Sequence, residues 1–282
     1  MNTRNLGGHS GCKILLCEEN DNKVFVRKIS SNYEYNERLK VQAFKQESFA
    51  TGQVKTPKVY AKGYTQDGLF YFDMEYIQGI TMAEYMNTIE IGKVKNLVES
   101  LVTNILSPNS DSTAVDEAVF YNKISSLKEK LSNDNNHIID EAIEMLNSHS
   151  WKNFPKTFCH GDMTLENIIV KDGQMYLIDF LDSFYDCWIM DISTLLQDVQ
   201  TLWSYRNQKE INVNTLIRLM VFRDILIDTM NKMSSGIIVE AYYALLLKLI
   251  RIYPYTHDAL TYEFLNRKTA SIMRIIRNGG NL

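Results

Sequence analysis

The stretch that decides the fold is residues 160–182, which reads HGDMTLENIIVKDGQMYLIDFLD. It contains two short apolar runs separated by an Asp-Gly pair: Ile168–Val170 and Met175–Ile178. Asp-Gly between two apolar runs favours the tight turn of a β-hairpin. The hairpin is expected to hold Asn167 at its entrance and Asp179 at its exit, so that the two polar side chains lie close together although they are twelve residues apart.

Three polar side chains stand out in this apolar setting: Asp162, Asn167 and Asp179. An amide oxygen and a carboxylate can hold Mg²⁺ on nucleotide phosphates, and a second carboxylate can accept the proton of an attacking hydroxyl. The pattern therefore predicts Asn167 and Asp179 as metal ligands and Asp162 as the catalytic group. The alternative is that Asp162 caps a turn and Asp179 ends a strand. The complete ordered set favours a site for phosphoryl transfer.

The motif also resembles a known family. The spacing His-x-Asp-x-x-x-x-Asn, followed by an apolar strand and Asp-Phe, resembles the catalytic loop and metal-binding Asp of protein kinases. His-Gly-Asp and Ile-Asp-Phe-Leu-Asp resemble, more specifically, the aminoglycoside phosphotransferase and choline kinase superfamily of small-molecule kinases. The resemblance is strongest over residues 155–200, and weaker but in the right order over residues 5–85. It implies ATP and Mg²⁺ as cofactors and a small-molecule hydroxyl as the phosphate acceptor.

Within this resemblance, further residues of the catalytic region receive roles. His160 would brace the catalytic loop rather than transfer protons. Asp191 matches an Asp of the family that steadies the loop through its backbone. Asp182 would either lie near the metal or fix the chain that follows Asp179.

The fold implied by the resemblance is α+β, two-lobed and protein-kinase-like. Residues 1–78 are expected to form a small antiparallel β lobe that binds the nucleotide. Residues 79–282 are expected to form a larger, mostly helical lobe that carries the catalytic hairpin and the acceptor site, with ATP and Mg²⁺ in the cleft between the lobes. The C-terminal helices are predicted over Val213–Met233, Ile237–Tyr253 and His257–Arg277.

A glycine-rich turn precedes the first long strand of the N-terminal region. Glycines allow a backbone to approach phosphates closely, so Gly8, Ser10 and Gly11 are candidate nucleotide-binding residues. A glycine cluster can also be only a turn. On the next long strand, Lys28 fits the family's phosphate-contacting lysine, and alternation places Arg27 on the opposite face. The alternative is that Lys28 is a solvated charge on an edge strand.

The segment Tyr35–Thr51 is predicted to be a helix, with Leu39, Phe44 and Phe49 as candidates for its apolar side. In kinases a glutamate of this helix pairs with the strand lysine. The matching position here is Gln42, which could donate or accept a hydrogen bond but carries no charge. Glu47 lies further along the helix, and Glu37 lies earlier. The sequence alone does not identify the partner of Lys28.

An apolar strand ending in a polar-then-glycine exit, Leu69–Gly79, resembles the superfamily's hinge. The resemblance implies that the backbone of Glu75, Tyr76 and Ile77 binds the adenine edge. The same residues would also suit an ordinary buried strand.

Composition excludes several other classes of protein. The 282 residues are 45% hydrophobic and 23% charged with a net charge of −4, so no basic field favours nucleic acid. The four cysteines form no Cys-x-x-Cys pair and are typical of a reducing cytoplasm rather than of a zinc site. The apolar stretch Gly236–Tyr253 contains Glu240, Lys248 and Arg251, which favours a buried helix over a membrane span. The pattern does not indicate the oligomeric state.

Two other functions are compatible with parts of the sequence. A nucleotide-binding pseudokinase or scaffold is suggested by the missing helix glutamate, although all three catalytic polar groups are present. A protein kinase is disfavoured because no Ala-Pro-Glu motif follows Asp179. The superfamily uses sugars, aminoglycosides, amino alcohols and homoserine as acceptors, and we favour a sugar or another polyol. The candidate wall residues Trp203, Tyr205 and Arg206 could equally belong to a core.

Overall fold

The computed structural model describes residues 2–7, 11–19, 23–49, 52–106, 115–234 and 236–280. Contacts divide the chain into two compact units. Unit 1 comprises residues 1–85, 160–162 and 166–183, and unit 2 comprises residues 86–159, 163–165 and 184–282.

The strands found in the described residues all belong to unit 1. They are β1 (Asn2–Leu6), β2 (Lys13–Glu18), β3 (Val24–Ile29), β4 (Val54–Lys55), β5 (Val59–Tyr64), β6 (Phe70–Glu75), β7 (Ile80–Thr81), β8 (Ile168–Lys171) and β9 (Gln174–Leu177). A five-stranded antiparallel sheet has the order β1-β2-β3-β6-β5, and a second sheet has the order β4-β9-β8-β7. The predicted hairpin is thus β8 and β9.

The helices in the described residues are α1 (Asn36–Ser48), α2 (Met82–Tyr85), α3 (Ile91–Leu106), α4 (Glu117–Lys130), α5 (His137–Ser148), α6 (Trp188–Thr201), α7 (Val213–Met233), α8 (Ile237–Ile252) and α9 (Ala259–Arg277). The first two belong to unit 1 and the rest to unit 2. The antiparallel strands of one unit and the helices of the other agree with the predicted fold class.

The helix α1 packs on the five-stranded sheet through a different set of residues from the one expected. Leu39 and Ala43 are fully buried against strand residues such as Val26 and Phe72. Phe44, predicted on the apolar side, is 64% exposed. Five residues along an α-helix correspond to a rotation that leaves Phe44 about 140° away from Leu39. The expectation for Phe44 was therefore wrong, while the helix itself was correctly predicted.

Strand pairing attaches the hairpin to unit 1. The short β4 pairs in parallel with β9, and the short β7 pairs antiparallel with β8. Each outer strand of this sheet comes from the first 85 residues, so the hairpin groups with unit 1 rather than with the helices, where we expected it. The lobe boundary predicted at residue 78 falls just before β7, whereas the first segment of unit 1 continues to residue 85. The assignment of nucleotide and acceptor sites to separate lobes stays a prediction.

The core of unit 2 consists of helices packed around α8. Ten of the sixteen residues of α8 are buried, Leu245 among them. Pairs of helices in contact include α6 with α8, α8 with α9 and α3 with α7. In the part of the chain that the structure describes, no helix combines the length and apolar character needed to cross a membrane.

Candidate active site

The β8–β9 turn has the predicted chemistry. Asp172 and Gly173 both have positive φ, 50° and 77°, and Lys171 pairs with Gln174 across them. Two consecutive residues in the left-handed region define the two-residue type I′ turn, which Asp-Gly favours. At the open end of the hairpin, the N–H of Ile178 donates to the carbonyl oxygen of Asn167 at 3.0 Å. The entrance and the exit of the hairpin are therefore adjacent, as the sequence predicted.

Asn167 is oriented by Asp162. Its side-chain nitrogen donates to the backbone oxygen of Asp162 at 2.8 Å and to the Oδ2 atom of Asp162 at 3.2 Å. The assignment of amide nitrogen and oxygen follows from these two acceptors. Because the nitrogen faces Asp162, the Oδ1 atom of Asn167 is the one directed away and suited to a cation.

His160 holds the loop through both ring nitrogens. The ring is fully buried; the N–H of Asp162 donates to Nδ1 at 3.2 Å, and Nε2 lies 2.7 Å from the carbonyl oxygen of Ile178. Accepting at Nδ1 requires the proton to sit on Nε2, from which it is donated to Ile178. Since both nitrogens are engaged with backbone groups, the arrangement suits bracing rather than proton transfer.

Gly161 explains why this motif has glycine between His160 and Asp162. Its φ is +91°, and a Cβ atom added there would overlap Ser183 Oγ and lie 3.2 Å from the carbonyl oxygen of Leu181. A left-handed conformation and a close approach by backbone both require glycine. An arginine, as in the protein-kinase motif, would not fit this position.

Lys28 is buried and paired. It is only 2% exposed, and its Nζ atom lies 2.9 Å from Asp179 Oδ1 and 3.1 Å from Gln42 Oε1. Glu47 instead forms an ion pair with Lys62. The open question of the partner is answered: the helix supplies neutral Gln42, and the carboxylate comes from Asp179, 151 residues away.

The setting of Lys28 also excludes the edge-strand alternative, because β3 lies between β2 and β6. On the other face of β3, Arg27 makes a two-point contact with Asp73 at 2.6 and 2.7 Å. The hydrogen bond to Asp73 raises the pKa of the Arg27 guanidinium above its ordinary value. The two adjacent basic residues lie on opposite faces of β3, as strand alternation predicted, and each has its own carboxylate partner.

Asp179 adopts an unusual backbone conformation, with φ of +60°. A non-glycine residue in the left-handed region is disfavoured and persists when its surroundings specify it. Phe180, the next residue, is buried with its ring centroid 4.4 Å from that of His160 and 5.6 Å from that of Phe49. This packing fixes the chain on the C-terminal side of Asp179.

The side chains present fit a magnesium ion bound together with a nucleotide. Carboxylate and amide oxygens are the hard donors that Mg²⁺ prefers, and Mg²⁺ uses one or two protein ligands with substrate phosphates. Asn167 and Asp179 supply such oxygens at the entrance and the exit of the hairpin, which are adjacent. Among the described residues, no group of three His, Cys, Asp or Glu side chains could hold a metal by itself.

The predicted nucleotide-contacting residues are only partly described. Gly8 and Ser10 lie outside the described residues, whereas Gly11, just before β2, has φ of +72°. Glu75 ends β6, and its N–H donates to the carbonyl oxygen of Lys58 at 2.8 Å. Tyr76 is half-buried and Ile77 is buried. The assignment of Glu75, Tyr76 and Ile77 to adenine binding stays a prediction.

Asp198 is a functional candidate that the sequence reasoning missed. It is fully buried in α6, and its Oδ2 atom accepts from the N–H of Leu165 at 2.5 Å. Its Oδ1 atom accepts from the N–H and the hydroxyl of Ser204 at 2.8 and 2.7 Å. Asp191, to which the resemblance gave the loop-steadying role, is also buried in the first turn of α6. The sequence does contain an indication of this role, because Asp198 lies within the apolar window Leu195–Val199 and a buried charge requires hydrogen-bond donors.

Four further residues with expected roles lie in the two units, Asp182 in unit 1 and Trp203, Tyr205 and Arg206 in unit 2. Asp182 lies 3.4 Å from Arg38 on the exposed side of α1, and the choice between its two expected roles stays a prediction. Tyr205 is buried in unit 2, so it belongs to the core. Trp203 and Arg206 are half-buried, with the guanidinium carbon 4.1 Å from the indole ring centroid.

Comparisons with known proteins identify the family of the chain. A sequence model described as the phosphotransferase enzyme family matches residues 7–216. The chain therefore belongs to the phosphotransferase enzyme family, which supports a small-molecule phosphotransferase. No curated protein sequence matches the chain.

Similar solved structures extend over nearly the whole chain. One is a thermostable mutant of the aminoglycoside phosphotransferase APH(4)-Ia in complex with AMP-PNP and hygromycin B, at 12% identity and a TM-score of 0.60, covering 100% of this chain and 95% of the other. A second is an aminoglycoside 2′-phosphotransferase mutant in complex with GDP, at 13% and 0.62, covering 99% and 91%. A third is a choline/ethanolamine kinase family protein from Mesorhizobium loti, at 15% and 0.60, covering 98% and 88%. At these identities the likeness establishes the two-lobed, kinase-like fold.

Proposed function

We propose that this protein is an ATP- and Mg²⁺-dependent phosphotransferase that transfers a phosphoryl group to a hydroxyl of a small molecule. The observation that carries the proposal is the set of contacts joining Lys28 to Asp179 and Asn167 to Asp162. Four residues from two separate stretches of the sequence, each of a type that phosphoryl transfer requires, are held by hydrogen bonds in one unit.

Asp162 is the proposed catalytic residue. Its side chain is half-buried, and Asn167 donates to one of its carboxylate oxygens. It would accept or orient the proton of the acceptor hydroxyl. General base catalysis contributes about 10²- to 10⁴-fold to a rate. The remaining acceleration would come from positioning and from neutralising charge on the phosphates.

The nucleotide would be bound by residues of unit 1. Lys28 would contact the α- and β-phosphates, and Asn167 and Asp179 would hold Mg²⁺, which supplies further neutralising charge when it is bound. A lysine buried beside a carboxylate has its charge balanced before the nucleotide arrives. Gly11 would lie over the phosphates, and the backbone of Glu75, Tyr76 and Ile77 would bind the base.

For the acceptor, we favour a sugar or another polyol over an aminoglycoside or an amino alcohol. A cationic acceptor would call for an acidic pocket, and a net charge of −4 in 282 residues is too small to argue for one. Similar structures include proteins whose described ligands and families cover aminoglycosides and choline or ethanolamine. We expect the protein to act in the cytoplasm on small molecules, without nucleic-acid or membrane partners.

The test is a screen of sugars, aminoglycosides and amino alcohols with ATP or GTP in the presence of Mg²⁺. Formation of nucleoside diphosphate above the acceptor-free rate, together with a phosphorylated acceptor identified by mass spectrometry, is the expected result. Omission of Mg²⁺ should abolish the product. Tight nucleotide binding without transfer to any acceptor would instead support a scaffold and contradict the proposal.

A further inference from the structure

One face of α1 and the residue after it contact the chain that begins at the metal-ligand candidate Asp179. The contacting residues recur at helical spacing: Arg38, Gln42, Lys45 and Phe49. Spacings of three and four residues place side chains on one face of a helix. Arg38 contacts Asp182, Lys45 contacts Leu181, and Phe49 contacts Phe180. Gln42 reaches Asp179 through Lys28, which contacts both.

Among the charged side chains of α1 that contact residues 179–182, Lys45 is the most buried. The residue is 5% exposed, and its Nζ atom donates to the carbonyl oxygen of Leu181 at 2.9 Å. A hydrogen bond from an ammonium group is stronger than one between neutral groups, and burial strengthens it further. By contrast, Arg38 and Asp182 are partly exposed and 3.4 Å apart, a geometry of little energetic weight.

The peptide groups of Leu181 connect Lys45 to the catalytic loop. The carbonyl oxygen of Leu181 accepts from Lys45, while its N–H donates to the carbonyl oxygen of His160 at 2.9 Å. His160 in turn holds the N–H of Asp162 and the carbonyl oxygen of Ile178. A continuous set of hydrogen bonds therefore runs from α1 to the residues on both sides of Asp179.

We propose that Lys45 is a positioning residue, which fixes Asp179 in the left-handed conformation in which it can hold Mg²⁺. In kinases a helix glutamate pairs with the strand lysine. In this protein two residues of α1 would share the corresponding role. Gln42 orients Lys28 without charge, and Lys45 fixes the segment that carries Asp179. The inference rests on the proposed function, because it requires a Mg²⁺-nucleotide site at Asp179.

The strained backbone of Asp179 is the reason that such a contact matters. With φ of +60°, Asp179 depends on neighbouring contacts to keep its conformation. Loss of the Lys45 ammonium would leave Leu181 held by its N–H alone within this set of bonds. The segment could then relax towards an ordinary conformation and carry the Asp179 carboxylate out of position.

The test compares three variants. Lys45→Met keeps an unbranched side chain but removes the donor, and Lys45→Arg keeps a charged donor. Lys40→Met is the matched control, because Lys40 lies on the same helix, is half-buried and contacts Glu37 of that helix at 2.6 Å. Each protein is titrated with AMP-PNP at several Mg²⁺ concentrations by calorimetry, and amide hydrogen exchange is followed over residues 178–183. Circular dichroism and the melting temperature establish that each variant is folded.

We expect Lys45→Met to weaken Mg²⁺-dependent AMP-PNP binding by about 10- to 100-fold, as loss of a group that orients a metal ligand typically does. Exchange over residues 178–183 should become faster. Lys45→Arg should restore both properties to near the wild-type values, and Lys40→Met should not change them. If Lys45→Met does not fold, Lys45→Gln, which keeps a shorter donor, is measured in its place. Its AMP-PNP affinity and exchange rate should lie between the values expected for the methionine and arginine variants.

Two results would overturn the inference. Wild-type Mg²⁺ dependence and exchange in Lys45→Met would show that Asp179 is positioned without Lys45. Equal impairment in Lys45→Met and Lys45→Arg would show that Lys45 only packs. Failure of the proposed function is distinguishable, because it would appear as a wild-type protein that binds no Mg²⁺-nucleotide, and this inference would fall with it.

Discussion

The catalytic hairpin of unit 1 and the helix α8 of unit 2 contrast in what their buried atoms do. In the hairpin, polar side chains at the strand ends are held at 2.8–3.2 Å from one another or from backbone groups. In α8, the buried positions are mostly apolar, with Leu245, Leu246 and Leu247 all fully buried. The hairpin depends on a few exact distances between polar atoms, whereas α8 depends on the total apolar area removed from water.

This difference explains what can be learned from each region. A reaction requires particular atoms, so the hairpin has an ordered motif. A packed helix accepts many apolar sequences of similar volume, so α8 carries little information about function. Substitutions in the two regions should therefore separate activity from stability, and each prediction below tests that separation.

After the catalytic residue Asp162, the largest effect is expected for Asp179→Asn. The variant removes the charge that pairs with Lys28 and is proposed to hold Mg²⁺, so kcat/KM should fall by about 100- to 1000-fold, the usual range for loss of one electrostatic group at an active site. Steady-state kinetics with the acceptor identified by screening provide the measurement. The matched control is Asp172→Asn in the same hairpin, because Asn-Gly is as well suited as Asp-Gly to a type I′ turn. Equal losses in both variants would contradict a special role for Asp179.

The second prediction concerns the core of unit 2. Leu245→Ala should lower the free energy of unfolding by about 3 kcal/mol, because it removes a fully buried side chain and leaves a cavity. At a temperature where the variant is folded, kcat should stay close to the wild-type value. Urea unfolding and kinetics provide the two measurements, with Leu260→Ala, which is 82% exposed in the wild type, as the control. A large loss of kcat with little loss of stability would break the comparison between the regions.

The smallest effect is expected at the start of α9. Asp258 accepts from the N–H of Thr261 at 2.7 Å, and this hydrogen bond lowers the pKa of its carboxyl below the ordinary value. A lowered pKa means that the charged cap stabilises the fold at neutral pH, and that this stabilisation is lost as the pH falls through the folded-state pKa. The difference in Tm between wild type and Asp258→Ala should therefore shrink from pH 7 to pH 3. A difference that grows with acidity would contradict this.

Local patterns in the sequence were sufficient for much of the fold. The Asp-Gly turn, the bounds of α7 and the ends of α8 and α9 to within two residues follow from turn chemistry and apolar periodicity. The ordered set Asp162, Asn167 and Asp179 was also evident, because its members lie within a short stretch of chain.

Long-range contacts could not be predicted in the same way. The pairing of Lys28 with Asp179 and of Lys45 with Leu181 joins residues 151 and 136 positions apart, and local periodicity carries no information on such distances. Lysine side chains also have many rotamers, so only the packed structure determines where each ammonium lies. The exposure of Phe44 was wrongly predicted for a related reason, since its apolar character was given more weight than its angle around α1.

In the proposed function, Asp162 acts in the chemical step, whereas Lys28, Asn167 and Asp179 bind the Mg²⁺-nucleotide. The most direct test is Asp162→Asn, which keeps the size of the side chain and removes its charge. We expect kcat to fall by about 10²- to 10⁴-fold, while calorimetry shows Mg²⁺-AMP-PNP binding close to that of the wild type. Turnover at the wild-type rate in this variant would contradict the account.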